Sequence, residues 1–360
     1  MKLLRLKKTD TPLPAAPIRL FLGDQSFELV SPNNSNFYRR LKHAMKQIPE
    51  CWGPRLPEIE LCHLATLPPQ AFRLEIAEIA LGEGQLESGR LLALGDEESL
   101  GPLLGTADHD PIYGLPSKWI LPSQARQAEE RSCLLMSPET IIITLLTERL
   151  PAQLYKLLSF DETHYLVEKW REREPILIEE SLKRFGLAQI FRLLRGLLEE
   201  RVPVGRLDLV LQGALRSPRK RPGPELVELA RQALSQQICQ LLLDQPGSMA
   251  AIVLANWVEK RWEQELNRKT SVEDWFFQRF GHALELLTDE CWAQARRPLL
   301  VVGSRIRAEL SQLLRRTYPD LPVLSWAEIS PEVEVETIAT LGSQVHPLAC
   351  RWPSRCYVSS

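Results

Sequence analysis

What this sequence lacks narrows its function before any motif is considered. Nowhere do about 18 apolar residues run together, so no stretch is expected to cross a membrane as a helix. Neither sign of charge is in surplus. The 44 Lys and Arg stand against 46 Asp and Glu, a formal net charge of −2, which argues against a dedicated nucleic-acid binder. The seven cysteines (51, 62, 133, 239, 291, 350 and 356) include no Cys-x-x-Cys pair. That speaks against a zinc ribbon and a disulfide framework and for a reduced cytoplasmic protein. The six histidines show no metal-ligand spacing. Gly82-x-Gly84 and Gly89 belong to neither a Walker loop nor a strand–GxGxxG–helix unit, so no phosphate cradle is expected. His109, between Asp108 and Asp110, resembles an acid–base group, but no Ser or Cys in a nucleophile elbow accompanies it. The basic start, Met1–Lys8, has no apolar core of the kind a signal peptide needs. No metal, catalytic residue or cofactor is expected.

What is present is an ordinary globular composition, 44% apolar and 25% charged, over 360 residues. That length supports two to four subdomains. Residues 1–16 read as a basic, then Thr- and Pro-rich, linker. Strands are expected at Ile18–Leu22 and Ser26–Val30, then a helix capped by Asn36 and stopped by Pro49. Alternation predicts strands over Glu58–Leu64, Phe72–Ala80 and Arg90–Leu94, followed by a polar loop at 95–110. Ser123 caps a short helix, Cys133–Met136 reads as a strand, and Ser137-Pro138 opens a helix with Pro in its first turn.

From about residue 151 the apolar period becomes helical. Helices are expected from Asp161, over Pro175–Phe185 with Gly186 closing it, over 187–198, over Leu207–Leu215, and from Pro224 to Leu242. The last third returns to αβ, with strands at Met249–Leu254, Leu299–Val302, Pro322–Ser325 and Val333–Ile338. Helices lie between them at Val272–Gln294 and from Ser304. The basic run Arg216–Pro222 has no interleaved aromatic residues and reads as a solvated loop.

Two blocks stand out. Asp110-Pro-Ile-Tyr-Gly-Leu-Pro-Ser-Lys-Trp-Ile120 carries the aromatic residues Tyr113 and Trp119 on a backbone stiffened by Pro111 and Pro116 and bent at Gly114. Such chemistry suits docking of another protein. Trp119, continued by Ile120 and Leu121, reads as mostly structural. Asp110 suits the start of a turn. The second block, Ser137-Pro-Glu-Thr-Ile-Ile-Ile-Thr-Leu-Leu-Thr-Glu148, places Thr144 in an apolar helix, where it can bond back to the preceding turn.

These blocks resemble the cytoplasmic domain of the type III secretion export-gate large subunit, the FHIPEP family. Asp110-Pro111, Tyr113-Gly114-Leu115 and Trp119-Ile120 are similar to the family's Asp-Pro-x-aromatic-Gly-Leu segment with its Trp-Ile. Ile142-Ile143-Thr144 and Leu146-Thr147-Glu148 are similar to a family helix that usually carries His where Leu145 stands here. Leu197–Val204, Arg231–Ile238 and Pro298–Ile329 follow in the same order, so the likeness runs from about residue 17 to 342. One departure is Gly205-Arg206, where the family continues Arg-Asp.

The resemblance implies an α+β chain of four subdomains. Two would be αβ at the N-terminal side (17–68 plus 122–150, with 69–121 inserted), one all-helical (151–232) and one C-terminal αβ (233–345), before a tail at 346–360. It implies a soluble, non-enzymatic domain at the cytoplasmic face of the inner membrane, belonging to a flagellar or injectisome apparatus. It further implies a nonameric ring, and partners that are secretion chaperones with bound substrates, stalk or gatekeeper proteins and the membrane half of the gate. No part of this sequence corresponds to that membrane half. Asp110, Tyr113, Gly114, Trp119 and Thr144 would line or support the chaperone cleft. The alternatives are an αβ hydrolase or transferase with a site near His109 and Cys133, and a free-standing protein that competes for cargo.

Overall fold

The computed structural model describes residues 4–8, 18–30, 35–112, 114–218, 225–268, 275–293 and 296–343. The chain is α+β and divides into two compact units, Met1–Leu207 and Asp208–Ser360. Among the described residues no helix is long and apolar enough to cross a membrane.

The first unit contains two sheets. The first has the order β1-β3-β2-β4-β5, from β1 (Leu4–Lys8), β2 (Ile18–Leu22), β3 (Ile59–His63), β4 (Ala71–Ile76) and β5 (Ile79–Gln85). β1 and β2 run parallel to β3, whereas β4 is antiparallel to β2. Ile18, Leu20 and Leu22 are buried opposite Ile76, Leu74 and Phe72, so both strands bury one face of the pleat in matching register. The second sheet has the order β7-β8-β6-β9, from β6 (Leu91–Leu94), β7 (Gly105–His109), β8 (Pro116–Ile120) and β9 (Leu134–Met136), all antiparallel.

Several expectations change here. Leu4–Lys8 is a strand on β3 rather than linker. Residues 71–85 hydrogen-bond into the first sheet, and β9 into the second, so strand pairing does not follow the expected boundaries at 69 and 121. The polar stretch 95–110 contains a short helix, α3 (Glu97–Leu100, capped by Asp96), and β7. Ser26–Val30 lies in or after helix α1 (Asp24–Leu29) rather than in a strand. Both neighbours of β2 are already taken by β3 and β4, and Ser26 on α1 and Val30 just after it, four apart, are both buried. Helix α2 (Ser35–Trp52) carries Pro49 inside it instead of stopping there.

Helices complete the unit: α4 (Ala125–Glu130), α5 (Pro138–Arg149), α6 (Leu154–Leu157), α7 (Phe160–Arg171) and α8 (Pro175–Glu199). Arg55, just after α2, forks onto the Glu162 carboxylate of α7 at 3.0 and 3.2 Å and stacks 3.5 Å above the Tyr165 ring. α8 is two helices joined at Gly186, as the sequence predicts, with φ 70° and ψ 162°. That conformation is essentially reserved for glycine. Gly186→Ala is therefore expected to cost roughly 1–3 kcal/mol, read as a lowered urea midpoint although open space surrounds the site.

The second unit opens on α9 (Leu207–Leu215), with the bounds the sequence predicts. The expected single helix to Leu242 is instead two, α10 (Glu225–Ala233) and α11 (Ser235–Leu242), broken at Leu234. Each of the two helices supplies a buried polar anchor. Arg231 of α10 pairs with Glu328, and Cys239 of α11 accepts from the Ser330 amide at 3.3 Å. A four-stranded, all-parallel sheet follows in the order β12-β11-β10-β13, from β10 (Ser248–Leu254), β11 (Leu300–Val302), β12 (Val323–Ser325) and β13 (Glu334–Leu341).

Between the strands lie α12 (Asn256–Arg268), which the sequence reading left unassigned, α13 (His282–Ala293) and α14 (Arg307–Thr317). A π-helical turn, Phe277–Gly281, precedes α13. Val258, Trp262, Phe276, Phe280 and Leu310 join the strands in one core. The basic run at 216–222 lies largely outside the described residues, as does the tail from 344.

Candidate partner-docking site

Residues 110–112 and 114–115 are held by several hydrogen bonds. The Asp110 amide donates to the Leu115 carbonyl (2.9 Å) and the Gly114 amide to the Asp110 carbonyl (2.8 Å). The Asp110 carboxylate, 1% exposed, accepts from the Ile112 amide at 3.2 Å. Gly114 takes φ +71°, a left-handed geometry that a side chain resists. Tyr113 lies outside the described residues.

The strands flanking the loop are braced as well. Trp119 is 1% exposed, and its indole donates to Asp108 at 3.0 Å. Lys118 donates to the Leu100 and Leu103 carbonyls, both at 2.9 Å. Trp119 and Asp110 are thus buried and brace the loop through these bonds. Exposure at the loop belongs to Gly114, Leu115 and Pro116, with Leu115 at 51%.

α5 comes to the same place from the other side. Ser137 caps it, accepting from the Thr140 amide at 3.3 Å, and Pro138 fills the first turn. The helix is apolar on nearly every side, with Ile141, Ile142, Ile143, Leu145 and Leu146 all buried. Thr144 is half-buried on it. The back-bond considered for Thr144 is made by Thr147, whose hydroxyl donates to the Ile143 and Thr144 carbonyls. At the end of α5, the Arg149 guanidinium donates to the Ile112 carbonyl. That contact ties the two sequence blocks together.

Two glycines let β5 into the junction. A Cβ on Gly82 would sit 2.9 Å from the Leu145 side chain, and one on Gly84 3.1 Å from both Pro111 and Phe72. Gly82 and Gly84 thus serve close packing, not a phosphate. The sequence reading missed Arg149. The available signal was a basic residue in the last turn of a helix, where such a side chain commonly meets a carbonyl.

The hydrolase alternative fares poorly. Cys133 is buried, and desolvation pushes its thiol pKa up, away from the nucleophilic thiolate. His109 is exposed at the end of β7. No disulfide joins Cys51, Cys62, Cys133, Cys239 and Cys291 to one another. Among the described residues no group of His, Cys, Asp and Glu is placed to hold a metal ion.

Comparison with known proteins agrees with this architecture. The Yersinia enterocolitica "Flagellar biosynthesis protein FlhA" is 26% identical over 335 residues, 91% of this chain but 48% of that protein. This chain therefore spans about half the length of the curated relatives it matches. Among solved structures, the Chlamydia pneumoniae CdsV protein superimposes with a TM-score of 0.75 at 17% identity, covering 92% of this chain and all of that one. The nonameric EscV cytosolic domain from the type III secretion system does so with a TM-score of 0.68 at 16% identity, covering 93% and 99%. The FHIPEP family model matches residues 4–334. The chain thus belongs to the FHIPEP family and carries the fold of the cytosolic domain of its type III secretion members.

Proposed function

We propose that this chain is the cytosolic domain of a type III export gate that docks chaperone-bound cargo at the 110–115 loop and assembles into a ring. The observation that carries the docking site is the fixed loop itself. Buried Asp110, the Arg149–Ile112 contact and the close approach of β5 brace the residues beside an exposed Gly114–Leu115 tip. A preorganised apolar tip loses little entropy on binding, as a docking element requires. Tyr113 belongs to this tip by sequence, and Thr144 to the helix behind it.

The role assigned to the domain is non-enzymatic: chemical energy comes from elsewhere in the apparatus, and the domain supplies recognition. Its place is the cytoplasmic face of the inner membrane, beneath the membrane half of the gate. Stalk or gatekeeper proteins are further partners on this reading. Ring assembly draws support from the nonameric EscV structure and from exposed apolar side chains, Phe160 and Ile176, on the helices of the first unit.

The test is calorimetric titration with a type III chaperone–cargo complex. The parent chain is expected to bind, and Tyr113→Asp or Leu115→Asp to weaken binding at least about tenfold with the circular dichroism unchanged. Unchanged affinity in both variants excludes the loop as the docking element. Electron microscopy at high protein concentration tests assembly, with annular particles expected.

A further inference from the structure

The second unit carries an exposed surface that the cargo-docking reading does not use. On α12, Trp257, Lys260, Arg261 and Gln264 follow i, i+3, i+4, i+7 spacing and so occupy one face. Val258 and Trp262, on the opposite face, are in the core. Trp275 and Arg279, a turn apart around the π-helical segment, complete the wall of a groove of about 590 Å³.

Cations and rings interlock in this groove. The Arg279 guanidinium stands 5.4 Å from the Trp257 ring centre, and Arg261 stands 5.9 Å from that of Trp275. The two indoles meet edge to face at 6.4 Å. Trp257 is 45% exposed, yet its Nε1 donates to the Gly342 carbonyl at 2.7 Å. Gly342 is hemmed in by the same indole: a Cβ there would lie 2.5 Å from Val258 and 3.1 Å from Trp257. A tryptophan both exposed and pinned is costly in water and preorganised for contact.

Charge decides what the groove fits. Arg261 is paired with Glu265 at 2.7 Å, but Lys260 and Arg279 have no carboxylate partner among the described residues. Among the described residues no carboxylate lines the groove; Glu273 and Asp274, next to Trp275 in sequence, lie outside them. The chain's own 344–360 segment, which follows Gly342, carries Arg351 and Arg355 and no Asp or Glu, so charge disfavours it as the occupant.

We infer that the Trp257–Trp275 groove docks an acidic amphipathic segment of a partner protein, which places an apolar side chain on the indoles and carboxylates on Lys260 and Arg279. Arginine and tryptophan together are the side chains that dominate binding energy at protein interfaces. The cation–π contacts hold Arg279 and Arg261 over the rings, so less side-chain entropy is lost when a carboxylate arrives.

The experiment uses the full chain and fluorescence anisotropy with three labelled probes: a Glu/Leu amphipathic peptide, its Lys/Leu counterpart and a single-stranded oligonucleotide. Vesicles of phosphatidylserine and phosphatidylcholine are assayed by co-sedimentation. The Glu/Leu peptide is expected to bind with an affinity that falls as salt rises, and the Lys/Leu peptide not to bind. Trp257→Ala is expected to weaken the Glu/Leu peptide about tenfold or more. Lys260→Glu with Arg279→Glu, both at exposed positions, should abolish binding with the circular dichroism unchanged. Equal binding of both peptides, retention by the charge-reversed variant, or capture of only the oligonucleotide or the vesicles overturns the inference. Because Leu115→Asp leaves this groove intact, loss of cargo docking and loss of peptide binding are distinguishable.

Discussion

Arg231→Ala is expected to destabilise the second unit by roughly 3–5 kcal/mol. Arg231 and Glu328 form an ion pair in which the two side chains are 3% and 1% exposed. The same Glu328 carboxylate accepts from the Ser325 amide at 2.6 Å and from the Ser325 hydroxyl at 2.8 Å. Removing the guanidinium strands a carboxylate that water does not reach and leaves the void of a long side chain. Both losses are large in a dry site. The pair itself need not be strongly favourable, because each ion paid a desolvation penalty on folding.

A second variant separates these contributions. Arg231→Met with Glu328→Gln keeps an acceptor for Ser325 and most of the volume while removing both charges. It is expected to recover more than half of the loss. Urea unfolding reads both, and with m of ~1–3 kcal/mol/M the single variant should lower the midpoint by about 1 M or more. A shift below about 1 kcal/mol for Arg231→Ala would contradict the picture of an anhydrous pair.

Arg149→Ala is expected to weaken binding of a chaperone–cargo complex about tenfold or more. Arg149 is a positioning residue, since its guanidinium reaches the Ile112 carbonyl and leaves the exposed tip to others. A hydrogen bond from a charged group contributes about 1.5–3 kcal/mol, and tenfold in affinity corresponds to ~1.4 kcal/mol. Without it the 110–115 loop must be ordered at the moment of binding, and the affinity falls by that cost. Arg149→Lys keeps a donor on a flexible stem and should restore part of the affinity. A purely structural Arg149 would lower the urea midpoint without changing affinity in titrations carried out well below the unfolding transition. That outcome removes Arg149 from the docking argument.

The elements that the sequence announced are those with two independent local signals. Ser137 before Pro138 gives α5 a cap and a first-turn proline, and the structure starts the helix there. Gly186 between two apolar periods marks a break that the backbone makes with φ 70°. Where only the apolar period spoke, the outcome was mixed: β2 and α9 form with the predicted bounds, whereas two other stretches do not. Ser26–Val30 is too short to separate strand from helix by period, and saturation of β2 by β3 and β4 settled it as helix. The run from 224 to 242 has one unbroken helical period, yet it is interrupted at Leu234, between Arg231 and Cys239, whose partners lie about 90 positions away.

The candidate site divides in the same way. The stiff Asp110–Pro116 backbone and the apolar α5 were legible, because proline, glycine and hydrophobic runs act through local sterics and burial. The roles of Arg149, Gly82 and Gly84 were not, because each depends on a neighbour distant in sequence. By itself the sequence determined the family, the α+β class and the two motif blocks, since each is written in residue identity and spacing. Only the tertiary structure decided that Trp119 and Asp110 are buried while Leu115 is exposed, and that Trp257 is exposed among cations. Side-chain type sets what a residue can bind, whereas burial, which depends on the packing of distant segments, sets whether anything can reach it.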